Sequence, residues 1–113
     1  MSNRILKVNE VIKEELSNLL LKEVDFPPDV LVTITRVETS KDLGQTRAYL
    51  SVLPTEKNNQ VLKKLEKEVF NLQKMLNKRL DMRIVPKIKF EIDQSTKYAE
   101  RIEELLKKIK NER

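Results

Sequence analysis

Val30-Leu31-Val32-Thr33-Ile34-Thr35-Arg36-Val37-Glu38-Thr39, followed after a short polar break by Thr46-Arg47-Ala48-Tyr49-Leu50-Ser51-Val52-Leu53, decides the fold. The first stretch is dense in β-branched side chains and reads as a strand. In the second, Ala48, Leu50 and Val52 alternate with Arg47, Tyr49 and Ser51. Side chains in a strand point to opposite faces in turn, so one face is core and the other wet. The break between them, Ser40-Lys41-Asp42-Leu43-Gly44, reads as a hairpin connection. Its glycine is expected where the backbone needs a positive φ. The oxygens of Ser40 and Asp42 can bond nearby turn amides, so a structural role is expected for both.

Working outward, residues 4–24 read as an amphipathic helix. Ile5, Val8, Ile12, Leu16, Leu19 and Leu20 recur at three- and four-residue steps, with Lys7, Glu10, Glu14 and Lys22 on the other face. Asp25-Phe26-Pro27-Pro28 ends it, since proline lacks an amide donor and restricts the residue before it. Residues 57–80 carry the longest helical pattern, with Val61, Leu62, Leu65, Val69, Leu72, Leu76 and Leu80 as its apolar stripe. Residues 83–93 read as a third strand, with Ile84, Ile88, Phe90 and Ile92 on one side. Pro86 within it points to an edge strand or a bulge. Ser95 or Thr96 is placed to cap a last helix, where Ala99, Ile102, Leu106 and Ile109 repeat. The order α-β-β-α-β-α predicts an α+β fold: a three-stranded sheet with helices on one face, in a single domain spanning 1–113.

Composition removes most chemistries. The 113 residues include no cysteine, no histidine and one glycine. Disulfides, thiol catalysis and a near-neutral imidazole are therefore excluded, and zinc sites with them. A single glycine cannot build a Walker or dinucleotide-binding loop. No pair of Asp, Glu, Lys and Ser stands at a spacing that acid–base catalysis would use. No enzyme, cofactor, metal or small-molecule substrate is expected. No stretch approaches the ~20 apolar residues of a membrane span, and Met1-Ser2-Asn3-Arg4 opens no signal-peptide run, so the expected address is cytoplasmic.

Charge is where the chain becomes informative. The net charge is +5, and residues 57–80 alone carry seven basic groups against Glu66 and Glu68. At 100° per residue, Lys63, Lys67, Lys74 and Lys78 fall within about 60° of one another, roughly opposite the stripe from Leu65 to Leu80. Lysines at these steps repel one another and add nothing to helix stability. Such a surface suits a polyanion. A solvated face reads the same way, and an acidic protein partner is the alternative occupant. Lys78 and Arg79 also sit in the last turn, where cations complement the helix dipole. Phe70 falls within the lysine stripe on a straight helix. A basic face around an aromatic fits single-stranded RNA; a break in the helix, turning Phe70 at least partly inward, is the favoured expectation.

Two motifs carry a resemblance. Arg83-Ile84-Val85-Pro86-Lys87-Ile88-Lys89-Phe90-Glu91-Ile92-Asp93-Gln94-Ser95 is similar to the pattern R-x-V-P-x-L-x-F-x-x-D-x-S of the ribosome-binding factor A family. Val32-Thr33-Ile34-Thr35-Arg36-Val37-Glu38-Thr39-Ser40-Lys41-Asp42-Leu43 resembles its V-T-I-T-x-V-x-x-S-x-D-L. Ala48-Tyr49-Leu50-Ser51 looks like the strand that follows, and Arg4, Val8, Glu15-Leu16 and Asp25/Pro27 match the first helix. The resemblance covers about residues 4–106. It implies a KH-like domain of the type II arrangement with a kinked second helix. It also implies a non-catalytic, monomeric factor that binds 16S rRNA within the free small ribosomal subunit, near the neck, and assists its late maturation and processing, chiefly in the cold. The RNA-binding residues expected are Lys63, Lys67, Lys74, Lys78, Arg79, Arg83, Lys87 and Lys89. The chain departs from the family pattern in two places. Glu68, Val69 and Phe70 stand where the family has a small residue and a kink glycine, and Gln73 stands where a basic residue is expected.

Overall fold

The computed structural model describes residues 3–94 and 105–109. Helix α1 runs Asn3–Glu23, strand β1 Leu31–Thr39 and strand β2 Gln45–Leu53. A single 3-10 turn over Thr55–Lys57 leads into helix α2, Asn58–Arg79, and strand β3 is Lys87–Ile92. The strands form one sheet in the order β1-β2-β3. β1 and β2 are an antiparallel hairpin paired from Leu31↔Leu53 to Thr39↔Thr46, and β3 runs parallel to β2 from Gln45↔Lys87 to Leu50↔Ile92. A parallel neighbour needs a crossover, and α2 supplies it. This is the expected α+β, KH-like architecture.

One core joins the elements. Ile12, Leu16, Leu19 and Leu20 of α1 and Val61, Leu65, Leu72 and Leu76 of α2 cover Ile34, Val37, Ala48, Leu50, Val52, Ile88 and Phe90 of the sheet. The helix stripes and the β2 alternation are realised as read, with two differences on the strands. Ser51, expected on the wet face, is 5% exposed; a small side chain on the central strand is overshadowed by its neighbours. In β1 the register shifts between Ile34 and Arg36. That bulge puts Ile34 and Val37, three apart, on the same buried face, which a strict period of two forbids.

The third strand is shorter than residues 83–93. Its ladder begins where the Lys87 amide donates to the Gly44 carbonyl. Pro86, without an amide proton, lies just before it and is buried, and β3 is an edge strand. Arg83 and Ile84 precede the ladder and so escape its alternation. Ile84, expected inside, is 66% exposed.

The hairpin turn corrects a second expectation. The positive φ belongs to Leu43, at 60°, and Gly44 has none. Glycine gives room instead: a Cβ there would stand 3.2 and 3.3 Å from the two carboxylate oxygens of Asp42, which would have to give way. The Ser40 hydroxyl donates to Asp42 Oδ1 at 2.7 Å, the Gly44 amide donates to the same oxygen at 3.0 Å, and the Gln45 amide donates to Ser40 Oγ at 3.0 Å. The Ser40 hydroxyl first, and then the Gly44 amide, hold the Asp42 carboxyl below its usual range. Both side chains thus brace the turn.

Residues 105–109 are helical, within the last helix expected from sequence, and Leu105, Leu106 and Ile109 on it are exposed. The expected cap at Ser95 or Thr96, and Ala99 and Ile102, lie outside the described residues.

Candidate nucleic-acid interface

α2 is unbroken over 22 residues. The break expected near Phe70 is absent, because Glu68, Val69 and Phe70 all have side chains and amides compatible with the helical ladder, and no glycine or proline interrupts it. The phase of a straight helix therefore holds. Lys63, Lys67, Lys74 and Lys78 are exposed, opposite the buried Leu65, Leu72 and Leu76. At 1.5 Å per residue the row is about 22 Å long. Among the described residues no ion pair reaches any of the four.

Phe70 is 68% exposed within this row, so the expectation of an inward ring is wrong. Lys74, one turn on, lies over the ring with Nζ 4.6 Å from its centroid. One flank of the row borders a groove of about 380 Å³ between α1 and α2, lined by Glu23, Glu68, Asn71, Met75, Lys74 and Lys78. Glu68 lies in it with Oε2 buried and without a hydrogen-bond partner. The two acids lie on the α1 side, away from the centre of the lysine row.

Four other expected site residues fall elsewhere. Arg79 turns to α1, where its guanidinium meets Glu15 at 3.4 Å. This joins the two helices, so Arg79 stands apart from the row. Arg83 is exposed in the segment before β3. Lys87 and Lys89 are exposed and alternate with buried Ile88 and Phe90. They therefore project from the open face of the sheet, while the lysines of α2 project from the far side of the helix layer. The eight residues do not form one surface.

The open sheet face has its own order. Register aligns Glu38, Arg47 and Lys89 in one row and Arg36, Tyr49 and Glu91 in the next. Arg36 lies over the Tyr49 ring at 3.8 Å and pairs with Glu38, and the Tyr49 hydroxyl donates to Glu38 at 3.3 Å. The Tyr49 side chain, and next the charge of Glu91, raise the pKa of Arg47. At the bulge, Thr35 Oγ1 donates to Asp93 at 2.6 Å and Arg36 Nε stands 3.8 Å from the same carboxylate, which is 3% exposed.

Sequence reasoning missed a clamp at Gln73. Its Nε2 donates to the Pro86 carbonyl at 3.0 Å, and its Oε1 accepts from the Ile88 amide at 2.9 Å. The residue standing at the expected basic position thus ties α2 to the edge of β3. The signal was available: on a straight helix Gln73 flanks the apolar stripe, where a half-buried amide can both donate and accept.

The fold and this surface define a class: a small KH-like α+β domain whose lysine row on α2 meets no ion pair among the described residues, and whose open sheet face holds Arg36 in internal pairs. Within that class the chain belongs to the ribosome-binding factor A family, whose model matches residues 4–106. It is 34% identical to the ribosome-binding factor A of Halothermothrix orenii, over 96% of this chain and 90% of that one. It is 33% identical to that of Macrococcus caseolyticus over the whole of both chains. The crystal structure of ribosome-binding factor A from Thermus thermophilus superposes with a TM-score of 0.69 at 23% identity, covering 80% of this chain and 98% of that one. A Thermus thermophilus homology model fitted into a cryo-electron-microscopy map of a 30S complex gives 0.65 at 23% identity, covering 77% and 92%.

Proposed function

We propose that this chain is a non-catalytic, monomeric, cytoplasmic RNA-binding factor, acting as one KH-like domain, that binds 16S rRNA in the free small ribosomal subunit and assists its late maturation. The observation that carries the reading is the row of Lys63, Lys67, Lys74 and Lys78, exposed on one continuous helix and, among the described residues, without ion pairs. Lysine meets phosphate as a point charge, so the row supplies affinity and position without reading base identity. Family membership supports the ribosomal partner, and a neighbour of the same fold has been fitted into a 30S complex. Among the described residues no helix is long and apolar enough to cross a membrane, and no group of acids could hold a metal.

The test is co-sedimentation with isolated small subunits and with full ribosomes, across a range of salt. The chain is expected to pellet with free small subunits and not with full ribosomes. Binding is expected to weaken steeply as salt rises, because phosphate contacts release counterions. Equal association with both particles, or affinity indifferent to salt, overturns the reading.

A further inference from the structure

Among the described residues, Phe70 takes no part in the core. Phe90 is in the core and Phe26 packs against it, whereas Phe70 stays 68% exposed. Tyr49, the other aromatic outside the core among the described residues, is engaged: Arg36 lies on its ring and its hydroxyl is bonded to Glu38. Against Phe70, among the described residues, the Lys74 ammonium stands 4.6 Å from the ring centroid. A single ammonium can cover one face of a ring, and the exposure that remains leaves the other face open. The ring also sits on a continuous helix, with Lys63 and Lys67 before it and Lys74 and Lys78 after it in the same angular window.

We propose that Phe70 is a stacking platform for an unpaired base, flanked by lysines that hold the phosphates on either side of that nucleotide. The proposal rests on the RNA-binding reading above and specifies its ligand: single-stranded, looped or bulged RNA, rather than uniform duplex. In an intact A-form helix the base faces are stacked on one another, and the deep, narrow major groove admits no side chain, so an aromatic on a helix surface meets no base face. An unpaired base offers one. Stacking is tolerant of sequence because every base has a π-face, and it is compatible with phosphate contacts that do not discriminate among bases. Lys74 assists twice, as a cation on the ring and as a phosphate partner.

The experiment compares the parent, Phe70→Leu and Phe70→Trp on a short mixed-sequence single-stranded RNA and on the same sequence made fully duplex. Leucine keeps helix propensity, and an unchanged melting temperature establishes that the fold is intact. Phe70→Leu is expected to bind the single strand roughly 5- to 100-fold more weakly, to bind duplex as the parent does, and to keep the parent's salt slope. The chain has no tryptophan, so Phe70→Trp installs a sole reporter, whose emission is expected to be quenched by the single strand and left unchanged by the duplex. The proposal is overturned if Phe70→Leu binds the single strand as tightly as the parent, if it loses duplex binding equally, or if the tryptophan emission is unmoved at saturating RNA. These failures leave the lysine row untouched. Failure of the RNA reading itself would appear instead as an absence of salt-dependent binding in the parent.

Discussion

The outer face of α2 and the open face of the sheet both carry exposed cations, yet they treat them differently. On the sheet, Arg36 is shared among Glu38, Asp93 and the Tyr49 ring, and Arg47 is aligned with Glu38 by the β1–β2 register. On α2, among the described residues, no ion pair reaches Lys63, Lys67, Lys74 or Lys78, although Glu23 and Glu68 line the groove beside the last two. A cation already held by internal partners gains less from an external phosphate than one held only by water. The comparison teaches that the count of positive charges on a face is a poor guide to where a polyanion binds. The count of uncompensated ones is a better guide.

The strongest way to break this comparison is to reverse charge on each face in turn. Lys67→Glu with Lys74→Glu is expected to weaken RNA binding by roughly an order of magnitude or more, and to lower the salt slope by ~0.7–0.9 for each phosphate that is no longer neutralised. Lys87→Glu with Lys89→Glu is expected to do much less: no ion pair holds these two lysines either, but they share the sheet face with Glu38 and Glu91, which oppose a phosphate there. Filter binding over a salt series, on variants with parental melting temperatures, reads both. If the sheet pair costs more than the helix pair, the assignment of faces is inverted.

The next largest effect falls on stability. Asp93 accepts from Thr35 and lies beside Arg36 with its carboxylate nearly fully buried. Asp93→Ala is expected to cost about 1–3 kcal/mol, since it removes charge-assisted bonds and leaves the Thr35 hydroxyl with only the Tyr49 carbonyl at 3.3 Å. Gln73→Leu leaves the Ile88 amide and the Pro86 carbonyl without their partner, at about 1–2 kcal/mol. Chemical denaturation measures both. Neither variant is expected to change RNA affinity while folded, and a Gln73→Leu variant with parental stability but weaker RNA binding would move that residue from the scaffold into the interface.

How much of this could be read in advance differs by element. The apolar stripes of both helices and the alternation in β2 are local patterns, and a period is legible without knowing any partner. The bulge at Thr35 is not a local pattern: the hydroxyl it presents is received by Asp93, 58 residues on. Ile84 has the right residue type for a strand, but no period can tell that the ladder starts only after Pro86. Gly44 matches a familiar turn signal, and its reason is instead the nearness of Asp42. At Phe70 the plain helical phase points outward, correctly, and the expectation of a break set that phase aside. The lysine row was legible for the same reason as the stripes. Arg79, Lys87 and Lys89 shared its charge and lay near it in sequence, but tertiary pairing and strand register sent them elsewhere.

The smallest expected effect concerns a charge whose partners are all local, and it sharpens the comparison by supplying a case between the two faces. Asp42 is fully exposed, yet the Ser40 hydroxyl and the Gly44 amide both donate to its Oδ1. These bonds favour the carboxylate, so its pKa is lower in the folded chain than in the unfolded one, where the ordinary value is about 3.9. A depressed carboxylate contributes stability that is fully present above the unfolded value and is lost as pH falls through the folded one. Asp42→Ala is therefore expected to lower the melting temperature slightly near neutrality, and the difference from the parent is expected to shrink toward zero in strong acid. Gly44→Ala tests the same interaction from the other side. Its methyl group would press on the carboxylate at 3.2–3.3 Å, so Asp42 must shift and the bond from the residue 44 amide weakens. The two substitutions are close enough to couple, and together they are expected to cost less than the separate losses added. Thermal melts at neutral and acid pH check both claims. Because every donor to Asp42 lies within the turn, RNA binding is expected to survive its removal. If Asp42→Ala melts like the parent but no longer binds small subunits, the hairpin tip is itself part of the interface, and local pairing alone would not mark a charge as structural.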